Sequence, residues 1–355
     1  MNKLITNYDL LITNKKVVLL FASLLFSLFI LFFVDLIIGP VIIPINEIVN
    51  ILFHNNSQNI GWLNIINEFR LPKAITAIIA GSALAVSGLQ MQTLFRNPLA
   101  GPFILGISSG AALGVSILIL GGSIFSISSI LSANAYAITI AGCIGASAVL
   151  LIMFFVSLRV NNMMTVLILG IMLSSMINAL ISFLQYFSSN TALKSYTIWT
   201  MGSLSGVDNN QILVLVCATI AGFIIAILFS HPLNILLLGE KYASSMGVNI
   251  KSTRIWIMIS TSLLAGSITA FCGPLAFIGM AIPHVARKLM NTSDHRILVP
   301  SCILTGSIML LFCDIIASLP FYNQSLPINS VTSLIGAPIV IWIVLRPLPS
   351  SPKGM

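Results

Sequence analysis

Charge is what this sequence lacks, and that shortage limits its folds more than any motif. Of 355 residues, 16 are Lys or Arg and 8 are Asp or Glu, which is 7%. A soluble chain carries roughly 25% charged residues, which would be about 90 here. The deficit excludes a soluble globular protein, a disordered chain and a nucleic-acid-binding domain. Hydrophobic residues make up 57%, and the mean hydropathy is +1.07. The chain therefore reads as an all-α polytopic membrane protein. At about 20 apolar residues per span, with loops, it holds about ten transmembrane helices in one bundle.

Apolar runs and their breakers place the spans at 17–38, 72–95, 102–120, 135–158, 164–187, 211–229, 254–271, 276–290, 297–317 and 328–345. The first follows Lys15 and Lys16 and is too long for a signal-peptide core, so it reads as an uncleaved span behind a short cytoplasmic tail, 1–16. The eighth is short and contains Pro283. Such a segment is tolerated in a membrane only where protein or a wet cavity surrounds it. With the N-terminus in the cytoplasm, Lys3, Lys15, Lys16, Arg96, Arg159, Lys241, Lys251, Arg254, Arg287, Lys288, Arg296, Arg346 and Lys353 fall inside. Only Arg70, Lys73 and Lys194 fall outside, a split of 13 to 3. That bias favours an even number of spans with both termini cytoplasmic, and 1–355 as a single transmembrane domain.

Small residues recur at helix-packing spacing. Gly106, Gly110 and Gly114 form a double GxxxG, and Gly81, Ala85 and Gly88 share a second face. In lipid such stripes let backbones approach closely. Two intervals are long enough to need a reason: 40–70 outside, and 231–250 inside. In the inner one, Pro232 can start a helix and Gly247 can cap one. Ala243, Ser244 and Ser245 then leave a low-relief surface suited to another protein's groove, with a plain interfacial helix as the alternative.

Familiar catalytic signatures are missing. There is no P-loop, HExxH, GxSxG or dinucleotide fingerprint. The cysteines, Cys143, Cys217, Cys272, Cys302 and Cys313, form no CxxC and no Cys/His cluster, so neither a disulfide framework nor a metal site is indicated. Asp35 and Asp314 are the acids within or at the ends of spans, near the expected outer ends where hydration is cheap. A proton-relay role for them is the minor reading. No residue is marked as catalytic, and no cofactor of the chain's own is indicated. A transporter without an energy source runs downhill or borrows its energy. The long inner loop suggests borrowing.

Several blocks carry a family resemblance. They are Phe69-Arg-Leu-Pro-Lys73, Gly88-Leu-Gln-Met-Gln-Thr-Leu-Phe-Arg-Asn-Pro-Leu-Ala-Gly-Pro102 and Leu105-Gly-Ile-Ser-Ser-Gly-Ala111, then Trp199-Thr-Met-Gly-Ser203. Leu238-Gly-Glu-Lys-Tyr-Ala243, Met246-Gly-Val248 and Gly273-Pro-Leu-Ala-Phe-Ile-Gly279 follow. Ile282-Pro-His-Val-Ala-Arg287, Asp294-His-Arg296 and Ile335-Gly-Ala-Pro338 complete the series. In this order, from about residue 45 to 345, they resemble the FecCD-type permeases of ATP-driven importers for ferric siderophores, haem and vitamin B12.

The resemblance implies ten spans per subunit, a homodimer in the bacterial cytoplasmic membrane, two cytoplasmic ABC ATPase subunits and an external substrate-binding protein. ATP and Mg would be used by the ATPase. It implies that Gly239, Glu240, Ala243 and Gly247 belong to the ATPase-coupling loop. It implies cytoplasmic gates at Asn97, Pro98 and Leu99 and at Met163 and Met164, although a Met pair also serves plain packing. Arg70 and Lys73 match basic positions that dock the binding protein. One helical turn apart, both can point outward together, the alternative being an interfacial anchor or a local pair with Glu68. Two family charges are missing, because Ser318 and Ser325 stand where an arginine and a glutamate are usual. The other classes weighed are a secondary carrier not driven by ATP and a membrane-embedded enzyme.

Overall fold

The computed structural model describes residues 2–54, 59–121, 134–160, 162–319 and 326–345. Within them every regular element is helical. In chain order these are α1 (Asn2–Ile37), α2 (Ile45–His54), α3 (Ile60–Asn64), α4 (Leu71–Leu94), α5 (Ile107–Ile119), α6 (Ala135–Arg159), α7 (Met163–Tyr186) and α8 (Asn190–Thr200). They continue as α9 (Asn209–Leu228), α10 (Ser230–Leu236), α11 (Glu240–Ser245), α12 (Ile250–Thr261), α13 (Ser267–Cys272), α14 (Ile278–Met290), α15 (His295–Ala317) and α16 (Ile328–Leu345). Among the described residues, seven helical stretches are long and apolar enough to cross a membrane. α5, α14 and α16 occupy the intervals of the three remaining expected spans.

The second stretch starts earlier than the sequence suggests. It runs without a break from Ile60 to Leu94, through a π-turn at Ile65–Arg70. Pro72 has no N–H and its ring crowds the carbonyl of residue 68. The chain absorbs this one turn upstream, where Leu71 N–H reaches Ile66 O instead of the α partner. A second π-turn, Ser262–Gly266, joins α12 to α13 within one span.

α4 is the axis of the bundle. Of its most apolar window 89% is buried, against 28% for α6, α7 and α9 and 0% for α1. The peripheral helices turn Phe26, Phe29, Ile144, Phe155, Met172, Phe183 and Leu213 outward. α4 can be central because its glycines meet other backbones. A Cβ on Gly81 would collide with the carbonyl of Gly306 in α15, and one on Gly88 with that of Gly279 in α14. Gly110 and Gly114 of α5 cross α6 at Gly145 and Ala141 in the same way. Gly106 is a correction to the expected double GxxxG. It lies before α5 at φ 78° and ends the short turn Pro102–Leu105. Only a glycine takes that conformation at little cost.

α14 has 13 residues and spans only about 20 Å. The irregular backbone ahead of it is sealed by protein, as the membrane demands. Ser203 N–H donates to Cys272 O at 2.9 Å. Asn329 Oδ1 accepts from Ala276 N–H at 3.0 Å, and Asn329 N–H donates to Met201 O at 3.2 Å. Asn329 ends the Ser325-Leu-Pro-Ile-Asn329 stretch that departs from the family pattern. Its side chain supplies the acceptor that the broken backbone needs. Ser325 itself lies outside the described residues.

Candidate functional site

Four charged side chains meet where α1 ends and α4 begins. Arg70 is buried at 8% exposure. Its Nη1 donates to Leu36 O at 2.6 Å and Ile37 O at 3.0 Å, and its Nη2 to Val41 O. The Leu36 and Ile37 carbonyls are ones a helix C-terminus leaves without intrahelical partners, Val41 lies in the turn that follows, and a cation there also meets the negative end of the helix dipole. Gly39 makes the approach possible, since a Cβ there would lie 2.6 Å from Arg70 Nη2. Lys73 Nζ pairs with Asp314 Oδ1 at 2.9 Å and donates to Ser318 Oγ at 2.6 Å. Asp35 lies against Asp314, with Lys73 and Arg70 as its charged neighbours.

This corrects two expectations. Arg70 and Lys73 do not share an outward face, and Arg70 does not pair with Glu68: Arg70 caps α1 from inside, and Lys73 turns toward α15. Asp35 and Asp314 are not hydrated at a span end either, but 5% and 1% exposed. Lys73 of the axial helix pairs with Asp314, and Asp35 hydrogen-bonds to Asp314 with Lys73 and Arg70 nearby, which is what lets them sit at that depth. Lys73 keeps a side-chain exposure of 20% and lines a cavity of about 220 Å³ with Ser203, Ser205 and Asp314.

At the opposite end, α10 and α11 form an elbow with glycine at both of its turns. Gly239 has φ 111° and Gly247 φ 85°. After α11 the chain closes in a Schellman turn, with Val248 N–H on Ala243 O and Gly247 N–H on Ser244 O, both at 3.0 Å. Ala243 is fully buried against Ile235 and Leu236, with Val248 packed alongside. The expected low-relief docking surface at Ala243 is therefore corrected, because that methyl is the core of the elbow. Ser244 and Ser245 remain exposed, and the large apolar groups that face outward are Leu238, Tyr242 and Met246, which are 63%, 70% and 60% exposed. Tyr242 and Met246 stand one helical turn apart and share a side of α11, while Leu238 lies before the turn at Gly239. Glu240 anchors the elbow through a 2.6 Å pair with buried Arg254 of α12.

A polar chain ties the elbow to the ends of α4 and α15. Asn234 Nδ2 donates to Asp294 Oδ1 at 2.6 Å, and Asn234 Oδ1 accepts from His295 N–H at 2.8 Å. The same Oδ1 lies 2.7 Å from His295 Nδ1. An amide oxygen only accepts, so Nδ1 carries a proton and Nε2 is free to accept from Thr93 Oγ1 at 2.8 Å. Burial pushes the Asp294 carboxyl up, but the Arg296 N–H and the Asn234 amide outweigh it and hold it below its ordinary value. Sequence reasoning quoted Asp294-His-Arg296 without giving it this role, counted Arg254 only as an inside charge, read Asp35 only as an acid at a span end, and missed Asn234.

The loop after α4 closes tightly. Arg96 takes φ 48°, Asn97 N–H reaches Gln92 O at 3.1 Å, and Asn97 Oδ1 accepts from Leu99 N–H at 2.9 Å. Pro98 O lies 2.8 Å from His284 Nε2. Of the expected gate residues, Leu99 and Met164 are exposed at 42% and 54%, whereas Met163 is buried at 7%. Asn162 caps α7 by accepting from Met164 N–H at 2.9 Å.

The multi-span helical bundle with a centrally buried small-residue helix and a projecting elbow matches the transmembrane permeases that the chain resembles in sequence. The chain belongs to the FecCD transport family, whose model matches residues 27–346. It is 36% identical to the hemin transport system permease protein HmuU of Yersinia pestis, over 80% of this chain and 83% of that one. It is also 36% identical to the vitamin B12 import system permease protein BtuC of Klebsiella pneumoniae, over 79% and 82%. Its fold superposes with a TM-score of 0.79 on a metal-chelate type ABC transporter solved in an inward-facing conformation. That structure is 28% identical and covers 91% of this chain and 98% of its own.

Proposed function

We propose that this chain is the membrane subunit of an ATP-driven importer for a haem, iron-siderophore or vitamin B12 type cargo. In this reading 1–355 is a single permease domain with ten spans and both termini cytoplasmic, in a bacterial cytoplasmic membrane. Two copies form the translocation path. Two separate ATPases engage the elbows, and a binding protein delivers cargo outside. The chain binds no cofactor, and ATP and Mg are used by the ATPase.

Family membership and the relatives' names support the class of cargo. The observation that carries energy coupling is the elbow, where Leu238, Tyr242 and Met246 hold apolar surface out from the cytoplasmic end. Exposed apolar groups outside the bilayer mark a protein contact. Gly239 and Gly247 set its angle, while Glu240 and Ala243 hold it to the body. Leu99 and Met164, being exposed, are the gate residues in contact with the path, with Asn97 and Pro98 shaping the loop and Met163 supporting α7 from beneath. Lys73, the more accessible of the two outer cations, is the one that remains for docking.

The test is uptake into proteoliposomes. Uptake requires an ATPase partner and ATP, and Tyr242→Glu with Met246→Glu abolishes ATPase association while the permease stays folded. Gradient-driven counterflow by the chain alone sinks the reading in favour of a secondary carrier.

A further inference from the structure

Behind the 97–99 loop lies a cavity of about 310 Å³, lined by Gln92, Arg96, Asn97, His284, Arg287 and His295 among others. Its size is at the lower end of ligand pockets, about 300–1,000 Å³. None of its lining residues is acidic. Arg287 Nη1 donates to Gln92 Oε1 at 2.6 Å, and Gln92 Nε2 is itself spent on Met280 O at 3.0 Å. The partner of the Arg287 guanidinium is therefore a neutral amide. Among the described residues the two ion pairs are Lys73–Asp314 and Arg254–Glu240, and neither involves Arg96 or Arg287. The neighbouring acid, Asp294, is not in the lining and forms no ion pair with either arginine, and its Oδ1 takes Asn234 Nδ2 and Arg296 N–H. His295, with Nε2 accepting from Thr93, supplies no counter-charge.

Arg96 adds a second guanidinium from an unusual backbone. It occupies the left-handed position at the end of α4 where glycine is usual. Two guanidiniums thus share a cavity that provides no anion. Guanidinium forks match phosphate oxygens bidentately. The positive-inside bias puts this end of α4 at the cytoplasmic face, where anionic headgroups concentrate and where basic pockets between helices take them up.

We infer that this cavity is a binding site for an anionic phosphate group, held between Arg96 and Arg287. The phosphate comes from an inner-leaflet anionic phospholipid headgroup or from a soluble phosphate. Once bound, it bridges the 97–99 loop to α14, so that loop becomes harder to displace when the site is filled.

The test is native mass spectrometry of the purified full chain with added phosphatidylglycerol or phosphatidylcholine, alongside an inorganic phosphate titration at constant ionic strength. One phosphatidylglycerol per chain is retained at least tenfold more tightly than phosphatidylcholine. Arg96→Gln and Arg287→Gln each remove that preference, Arg96→Lys restores part of it, and Arg159→Gln on another cytoplasmic helix end does not change it. Arg96 is exposed, so its variant folds even if loss of Arg287 disturbs packing. Inorganic phosphate binding with the same arginine dependence, without lipid retention, upholds the site and assigns it to a soluble phosphate. Absence of arginine-dependent binding of either probe overturns the inference. So does intact phosphate binding in variants that lose ATPase association, which would make the arginines a contact for a partner's carboxylates.

Discussion

Replacing Arg70 by Met separates an internal cap from a docking contact. The side-chain volume is nearly kept, and the fork on Leu36, Ile37 and Val41 is lost. A hydrogen bond to a charged group is worth about 1.5–3 kcal/mol. Three would sum to about 5–9 kcal/mol, but Val41 is 45% exposed and Ile37 partly so, and water can replace the arginine there. The fully buried Leu36 carbonyl cannot be rehydrated. Asp35 also loses a cationic neighbour. A net loss of about 2–4 kcal/mol follows, because unpaired buried groups cost that much when one partner is removed. At about 2–4 °C per kcal/mol for domains of 150–250 residues, and less for a longer chain, the melting temperature falls by about 3–10 °C. Buried Cys272, Cys302 and Cys313 are internal probes for a thiol-reactive fluorescent melt. Arg70→Lys recovers only part of the loss, since one ammonium cannot span three carbonyls on a planar fork. An unchanged melt together with weakened binding-protein docking would refute the internal cap and restore an outward role.

Four further outcomes are expected. Gly88→Val gives no monodisperse protein in detergent size exclusion, because its Cβ meets the Gly279 carbonyl, whereas Gly206→Ala is silent, with nothing within 4 Å of its Cβ. Ala243→Glu loosens the elbow itself, seen as protease cleavage within 237–249, because the carboxylate enters the fully buried contact with Ile235 and Leu236. Cysteine placed at Asn190 reacts with an impermeant thiol reagent from outside intact cells and cysteine at Asn249 does not, and the opposite pattern would invert the bundle. Asp208 is held below its ordinary value, first by the hydroxyl of Tyr136 and then by Gln211 N–H. The stability this gives is present above the unfolded carboxylate value of about 3.9 and is lost as pH falls through the lower folded value. Tyr136→Phe narrows that acid-side window, as read from pH-dependent melts.

Span positions were legible because hydropathy and its breakers are local. α6, α15 and α16 fall within about two residues of the limits read from the sequence. Gly247 was legible too as a helix end, since glycine takes the left-handed position there at little cost. α14 could be recognised as an element needing cover, but not what covers it. Asn329 reaches it from α16, 53 positions away. The early start of the second stretch, at Ile60 ahead of α4, was missed because Pro72 normally marks a helix start, and here a π-turn carries the helix through it.

By itself the sequence determined the class of protein. Few charges, long apolar runs and one-sided Lys and Arg leave a chain no stable place except across a bilayer, and the ordered blocks fix the family. What each polar side chain does was decided by tertiary structure. Arg70 and Lys73 lie one turn apart and read as one outward pair. Yet Arg70 turns to the end of α1, and Lys73 to Ser318, 245 positions away. Ala243 reads as surface and is core, while Tyr242 beside it is 70% exposed. A helix's local pattern says that it has a polar or small-residue face. Which helix arrives to meet that face is set by close backbone crossings such as Gly81 on Gly306, and those depend on residues far apart in the chain.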